Sequence, residues 1–299
     1  MEKTQKILYF LAIKIASICN LDFFNMQPRL LSSGLNEIYE NYDAFFIDLW
    51  GVIHNGEQLI ESANDVLDHL NKRKKRFVLM SNAPRPKASV AKYLKSLGFK
   101  TEYMENVYTS GDAALGALEN NKLGKYFYHL GPEKDEDLFM KFIKFKKKNI
   151  DEAEFILCTG LDEAYETDLK YYENFFKDHL SKKMICTNPD LAVYRGGTRE
   201  YCAGSVAKIF ENLGGDVIYF GKPYKDIYND CAKENEKILV IGDNLNTDIK
   251  GANNMNYDSL LIIDGIHKNE FKNTDFNNVQ RIFSKYNATA NFIQKKLEW

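Results

Sequence analysis

Asp48 closes the apolar run Ala44-Phe45-Phe46-Ile47 and is followed at once by Leu49-Trp50-Gly51-Val52. The sequence thus delivers a carboxylate into a turn that glycine can bend sharply, where it is placed to act as a nucleophile. Ser81-Asn82 follow Phe77-Val78-Leu79-Met80 and offer a hydroxyl, an amide and backbone N–H groups to the oxygens of a phosphate. Lys222 comes after Val217-Ile218-Tyr219-Phe220 through Gly221, with Pro223 behind it. Its ammonium would neutralise phosphate charge or restrain the Asp48 carboxylate. The run Ile238 to Ile241 delivers Gly242-Asp243-Asn244-Leu245-Asn246-Thr247-Asp248, whose two acids suit a hard, oxygen-loving cation such as Mg²⁺. Singly, such residues serve as caps and turns more often than as reagents. The ordered set, each member directly after an apolar run, points to phosphate chemistry assisted by a cation.

The elements that must position these residues are parallel strands and helices in alternation. Short Val-, Ile- and Phe-rich runs buried on both faces recur at 44–49, 77–80, 155–158, 184–186, 217–220, 238–241 and 260–263. Between them lie amphipathic helices. Ser62 to Lys72 places Ala63, Val66, Leu67 and Leu70 on one stripe, Pro86 to Leu97 stops at Gly98, and Ser205 to Leu213 stops at Gly214-Gly215. This alternation predicts an α/β fold with a doubly wound, Rossmann-like parallel sheet, in which ligands bind beyond the carboxyl ends of the strands. The basic runs Lys72 to Arg76 and Lys144 to Lys148 sit at helix ends, where cations offset the carbonyl dipole, and 268–278 reads as a surface loop.

Bulk composition excludes several classes. With 40 basic and 42 acidic residues among 299 the net charge is −2, and nothing suggests a nucleic-acid partner. Five scattered cysteines without a C-x-x-C pair argue against a disulfide framework or a zinc knuckle and fit the cytoplasm. The apolar stretch Ile7 to Ile13 is interrupted by Lys14 and is too short to span a bilayer. Residues 1–25 are therefore expected to be an extension outside the fold, and no membrane partner is expected.

The series D-x-x-G-V at Asp48, S-N at Ser81, G-K-P at Lys222 and G-D-x-x-x-T-D at Asp243 to Asp248 resembles the haloacid-dehalogenase superfamily. About 140 positions separate Ser81 from Lys222, enough for a second domain, and the resemblance extends to the subfamily IIA phosphatases with a large α/β cap. Thr109-Ser110-Gly111, Thr187-Asn188-Pro189-Asp190 and Gly204-Ser205 are similar to segments of that subfamily, and Asp48 to Gly56 (D-L-W-G-V-I-H-N-G) is similar to an uncharacterised branch of it. The resemblance implies a core of 26–121 and 213–299 interrupted by a cap of 122–212. It further implies a small phosphorylated metabolite as substrate and leaves room for a homo-oligomer through the cap. Asp48 would form an aspartyl-phosphate; Ser81, Asn82 and Lys222 would take the charge of the phosphoryl oxygens; Asn188 and Asp190 would meet substrate from the cap side. Mg²⁺ would be held by Asp48, the Trp50 carbonyl and Asp243, with Asp248 orienting the set.

One position breaks the pattern. Active phosphatases of the superfamily carry a second aspartate two residues after the nucleophile, which protonates the leaving oxygen and then activates water; here that residue is Trp50. Indole does neither, and general acid–base help is typically worth about 10² to 10⁴ in rate. Three readings follow. His54, with an ordinary pKa near neutrality, supplies the proton; or the substrate has a good leaving group, as an acyl phosphate or phosphoanhydride has; or the protein binds a phosphorylated ligand with little turnover while Trp50 stacks on its ring. Trp50 as plain core packing is the fourth.

Overall fold

The computed structural model describes residues 27–120 and 123–299, so the expectation about residues 1–25 lies outside the described residues. In chain order the strands are β1 (Arg29–Leu30), β2 (Ala44–Asp48), β3 (Arg76–Ser81), β4 (Val107–Thr109), β5 (Phe127–Leu130), β6 (Lys146–Lys147) and β7 (Phe155–Cys158). They continue with β8 (Lys183–Cys186), β9 (Ala192–Arg195), β10 (Thr198–Tyr201), β11 (Asp216–Tyr219), β12 (Ile238–Gly242), β13 (Asp258–Ile262) and β14 (Phe292–Gln294). Seven form one sheet in the order β1-β14-β13-β12-β2-β3-β4, and every neighbouring pair is parallel. Five form a second all-parallel sheet, β11-β8-β7-β5-β6, and β9 with β10 makes an antiparallel hairpin. The fold is a Rossmann-like α/β core with an inserted α/β cap.

Hydrophobic burial explains the layers. Every residue of β2 is buried, as a central strand covered on both faces requires. Helix α1 (Glu61–Lys72) turns Ala63, Val66, Leu67 and Leu70 inward, and α2 (Lys87–Ser96) buries Val90 and Leu94. Each such side chain contributes roughly 1.5–3 kcal/mol when fully buried. On the opposite face Phe46 packs against Tyr228. The cap has its own core, in which Tyr172 and Phe176 meet Val206 and Phe210.

Two expectations are corrected. The boundary at 213 would place Asp216–Tyr219 in the core, but β11 pairs with β8 in register Asp216↔Lys183, so the cap extends through Tyr219. The apolar run specified a strand, not the sheet that strand joins. The loop expected over 268–278 ends early: a helix runs Phe276–Tyr286, and Asp275 caps it by accepting the Asn278 N–H at 2.8 Å. No described helix is long and apolar enough to cross a membrane.

The chain runs outward from β2 to β3 and β4 on one side and from β12 to β13 and β14 on the other. The β2/β12 boundary is therefore the switch point at which an open parallel sheet leaves a crevice at its carboxyl edge.

Candidate active site

Asp48 is the last residue of β2 and stands at that switch point, 8% exposed. The turn after it is closed by backbone bonds from the Ile53 N–H to the Leu49 carbonyl (2.8 Å) and from the Gly51 N–H to the His54 carbonyl (2.8 Å). Gly51 has φ +87°, and a Cβ there would lie 2.2 Å from Asp243 Oδ2, so glycine is required by conformation and by proximity.

Lys222 is buried and joins the motifs. Its Nζ lies 2.5 Å from Asp48 Oδ1 and 2.7 Å from Asp248 Oδ1, and donates to the Met80 carbonyl at 3.0 Å. Its backbone is held reciprocally by Asn82, whose Oδ1 accepts the Lys222 N–H (2.8 Å) and whose Nδ2 donates to the Lys222 carbonyl (3.0 Å). Ser81 Oγ accepts the Ala83 N–H at 3.1 Å, leaving the hydroxyl proton available to an incoming oxygen.

The third group of residues follows β12. Asp243 Oδ2 accepts the Ile266 N–H at 2.7 Å, and Asp248 Oδ2 accepts the Asn244 N–H at 3.1 Å. Oxygens of Asp48, Asp243 and Asp248 all lie within 4.8 Å of one another, and the three residues are buried. Burial, reinforced by like-charge repulsion, pushes the Asp48 and Asp243 carboxyls upward, with Lys222 opposing at both. Burial disfavours the Lys222 ammonium, but Asp248 and Asp48 outweigh it and hold the lysine charged. Three crowded acids against one ammonium leave excess negative charge in a low-dielectric site. That donor set, all hard oxygens, fits a divalent cation.

A cleft of about 1380 Å³ opens above these groups, lined by Asp48, Trp50, His54, Ser81, Asn82, Asn188, Asp190, Lys222 and Asp243 among others, with Asp248 buried beneath. The sequence-predicted residues are thus brought together. Asp190 comes from the segment between cap sheet and hairpin; its backbone N–H donates to Asn188 Oδ1 (3.1 Å) and its Oδ1 accepts from Asn244 Nδ2 (3.2 Å). Burial pushes its carboxyl up to about 6, with Lys222 lowering and Asp248 raising it further.

His54, expected as a surrogate acid, lines the cleft but lies where its charged form is disfavoured. It is 3% exposed, its Nδ1 accepts the Gly56 N–H at 3.0 Å, and burial with the nearby Arg195 charge lowers its pKa to about 4. Burial and Arg195 thus both favour the neutral imidazole near pH 7. Trp50 is half-buried and lines the cleft. Its Nε1–H donates to the Tyr194 carbonyl of the hairpin at 2.9 Å, and Arg195 lies over its ring. Two supports escaped sequence reasoning: the Ile266 N–H on Asp243, and His267, whose Nε2 accepts the Leu245 N–H at 3.1 Å while its Nδ1 faces Glu270 at 3.0 Å. Backbone donors carry no residue signature, and nothing in sequence spacing links His267 to the Asp243 loop.

Comparison with known proteins gives the same class. The family described as haloacid dehalogenase-like hydrolase matches residues 45–142, and a second, HAD-hydrolase-like family matches 219–282. Phosphoglycolate phosphatase 2 of Arabidopsis thaliana is 24% identical over 277 residues, covering 81% of this chain and 89% of that protein. A 5′-nucleotidase of Bacillus subtilis is 26% identical over 247 residues, covering 79% and 93%. The solved structure of a haloacid dehalogenase-like hydrolase from Brucella suis 1330 superposes with a TM-score of 0.75 at 28% identity, covering 89% of this chain and all of that one. The chain belongs to the haloacid-dehalogenase-like hydrolases, in the subfamily IIA architecture with an α/β cap inserted between its Ser81 and Lys222 motifs, and it is a hydrolase.

Proposed function

We propose that this hydrolase is a Mg²⁺-dependent phosphatase of a small phosphorylated metabolite, with Asp48 as nucleophile. The observation that carries the reading is the Asp48 carboxylate at the floor of the cleft, 2.5 Å from a buried ammonium and beside two further acids. The phosphatase and the nucleotidase named among the relatives support the same class. Asp48, Asp243 and the Trp50 carbonyl would hold the cation, which when bound supplies charge neutralisation for the phosphoryl oxygens.

In the first step an Asp48 carboxylate oxygen bonds to phosphorus as the bond to the leaving oxygen breaks and its electron pair departs with that oxygen. Water then attacks phosphorus, the Asp48–phosphorus bond breaks, and the carboxylate is regenerated with inorganic phosphate. Ser81 Oγ, the backbone N–H groups at Asn82 and the Lys222 ammonium stabilise the equatorial oxygens, a contribution of about 3–4 kcal/mol for a well-placed donor. Because Trp50 and His54 offer no proton, substrates whose leaving oxygen is stable as an anion, such as acyl phosphates, suit the site best. For alkyl monoesters we propose Asp190 as the proton donor: it lines the cleft opposite the core motifs, is joined to Asn244 at 3.2 Å, and burial raises its carboxyl.

The test is a panel of acyl phosphates and monoesters assayed with Mg²⁺ on the wild type, Asp48→Asn and Asp190→Asn. Asp48→Asn is expected to abolish turnover, and Asp190→Asn to slow monoesters while sparing acyl phosphates. Absence of Asp48-dependent turnover on every substrate would sink the enzymatic reading and leave a phospho-ligand-binding protein.

A further inference from the structure

A two-stranded hairpin is marginal by itself in water, and the β9–β10 hairpin is hydrogen-bonded into neither large sheet. Its support comes from the turn that follows the nucleophile. The Trp50 Nε1–H donates to the Tyr194 carbonyl at 2.9 Å, and the Arg195 guanidinium lies 4.9 Å from the centroid of the same indole. Arg195 also donates to the Gly56 carbonyl at 3.1 Å, an oxygen that accepts the Tyr93 hydroxyl at 2.6 Å. Glu200, on the facing strand, holds Arg195 at 2.9 Å, and the Gly196 N–H at the hairpin tip reaches the Asn55 carbonyl at 3.4 Å.

The indole itself is fixed from behind. His54 meets it edge-on with ring centroids 5.1 Å apart, and at Gly56, where φ is +87°, a Cβ would stand 2.5 Å from the ring. The buried neutral His54 thereby finds its use: its Nδ1 accepts the Gly56 N–H and holds the turn against which Trp50 rests.

We propose that Trp50 is a latch between core and cap, a docking post for the hairpin at the position where relatives in the superfamily keep a proton-handling aspartate. Its indole is a positioning group that acts through the hairpin, whereas the Trp50 carbonyl, which every substitution here keeps, retains the part proposed above. The hairpin residues Val193 to Tyr201 wall the cleft, so seating them on Trp50 sets the space beside the phosphate and which organic groups fit there. The inference rests on the proposed phosphatase reading only for its consequence in turnover; the docking is measured without substrate.

The experiment is amide hydrogen exchange on the full chain, comparing the wild type with Trp50→Phe, Trp50→Ala and Arg195→Gln. Trp50→Phe keeps a ring and loses the N–H; it is expected to speed exchange in 192–201 about fivefold, and the other two variants about tenfold or more. Peptides covering β2 and β12 should stay within about twofold of the wild type, because the latch lies outside the core ladder. With substrate, KM should rise more than kcat falls, whereas a residue that only stabilised the fold would lower the active fraction and leave KM unchanged. Arg195→Gln alters the cap side alone and keeps the test open if Trp50→Ala does not fold. Unchanged hairpin exchange in both Trp50→Phe and Arg195→Gln overturns the latch, as does acceleration of β2 and β12 equal to that of the hairpin. Absence of phosphatase activity in every variant and the wild type would remove the catalytic reading and leave the exchange result standing.

Discussion

Charging His54 would place a cation inside the protein beside Arg195, and its pKa accordingly falls from 6.5 to about 4. A histidine depressed in the folded state contributes stability that is present above 6.5, its unfolded value, and lost as pH falls through about 4. With those two values the loss reaches about 2 kcal/mol at pH 5 and about 3.4 kcal/mol once both states are protonated. The perturbation that isolates it is His54→Asn, whose amide oxygen stands where Nδ1 stood and still accepts the Gly56 N–H. Urea denaturation of the two proteins should show the variant less stable by about 1–2 kcal/mol at pH 7.5, where it lacks the ring contacts with Trp50 and Tyr93. By pH 5 the gap should close or change sign. His129, also held at about 4 by burial, and the buried carboxylates titrate in both proteins and cancel in the difference. A gap that stays constant from pH 7.5 to 5 would refute the neutral, buried assignment of His54 and return it to candidacy as a proton donor.

Asp243→Asn removes a carboxylate whose ionised form burial and Asp248 penalise, so without a divalent cation the variant should be at least as stable as the wild type, with the advantage growing as pH rises above 3.8. Thermal melts with and without Mg²⁺ should show the cation-induced rise in Tm in the wild type only; an equal rise in both would remove Asp243 from the cation site. Gly51→Ala should cost about 2 kcal/mol or more, from the left-handed φ and the collision with Asp243, and should abolish turnover. A near-wild-type melt with full activity would show that the turn has another conformation.

The core strands were legible because burial on both faces writes continuous apolar runs, and Ala44–Asp48 and Ile238–Gly242 fall where those runs stand. The residues after them were legible because a parallel sheet fixes which end faces ligand. What a run does not encode is its neighbour in the sheet. Asp216–Tyr219 read as a core strand because it precedes Lys222, yet its partners lie in the cap. Arg29–Leu30 and Phe292–Gln294 are too short for periodicity to reveal, and they pair only because the fold brings both ends of the described chain to one sheet edge. Trp50 was legible as a departure from a pattern but not in its role, since Tyr194 and Arg195 lie 144 or more positions away and meet it only through the docking of two domains.

The two chain crossings between the domains lie side by side. The Ser110 hydroxyl, at the start of the helix leading out of the core, donates to the Phe220 carbonyl on the return path, and Asn82 ties the next residue but one to the core. A domain that leaves and re-enters at one stitched point behaves as a cassette. Substitutions, insertions or wholesale exchange within it alter the upper wall of the cleft, Asp190 included, while the switch point of the parallel sheet keeps its geometry, so selection can retune recognition and proton supply without disturbing the Asp48, Asp243 and Lys222 constellation.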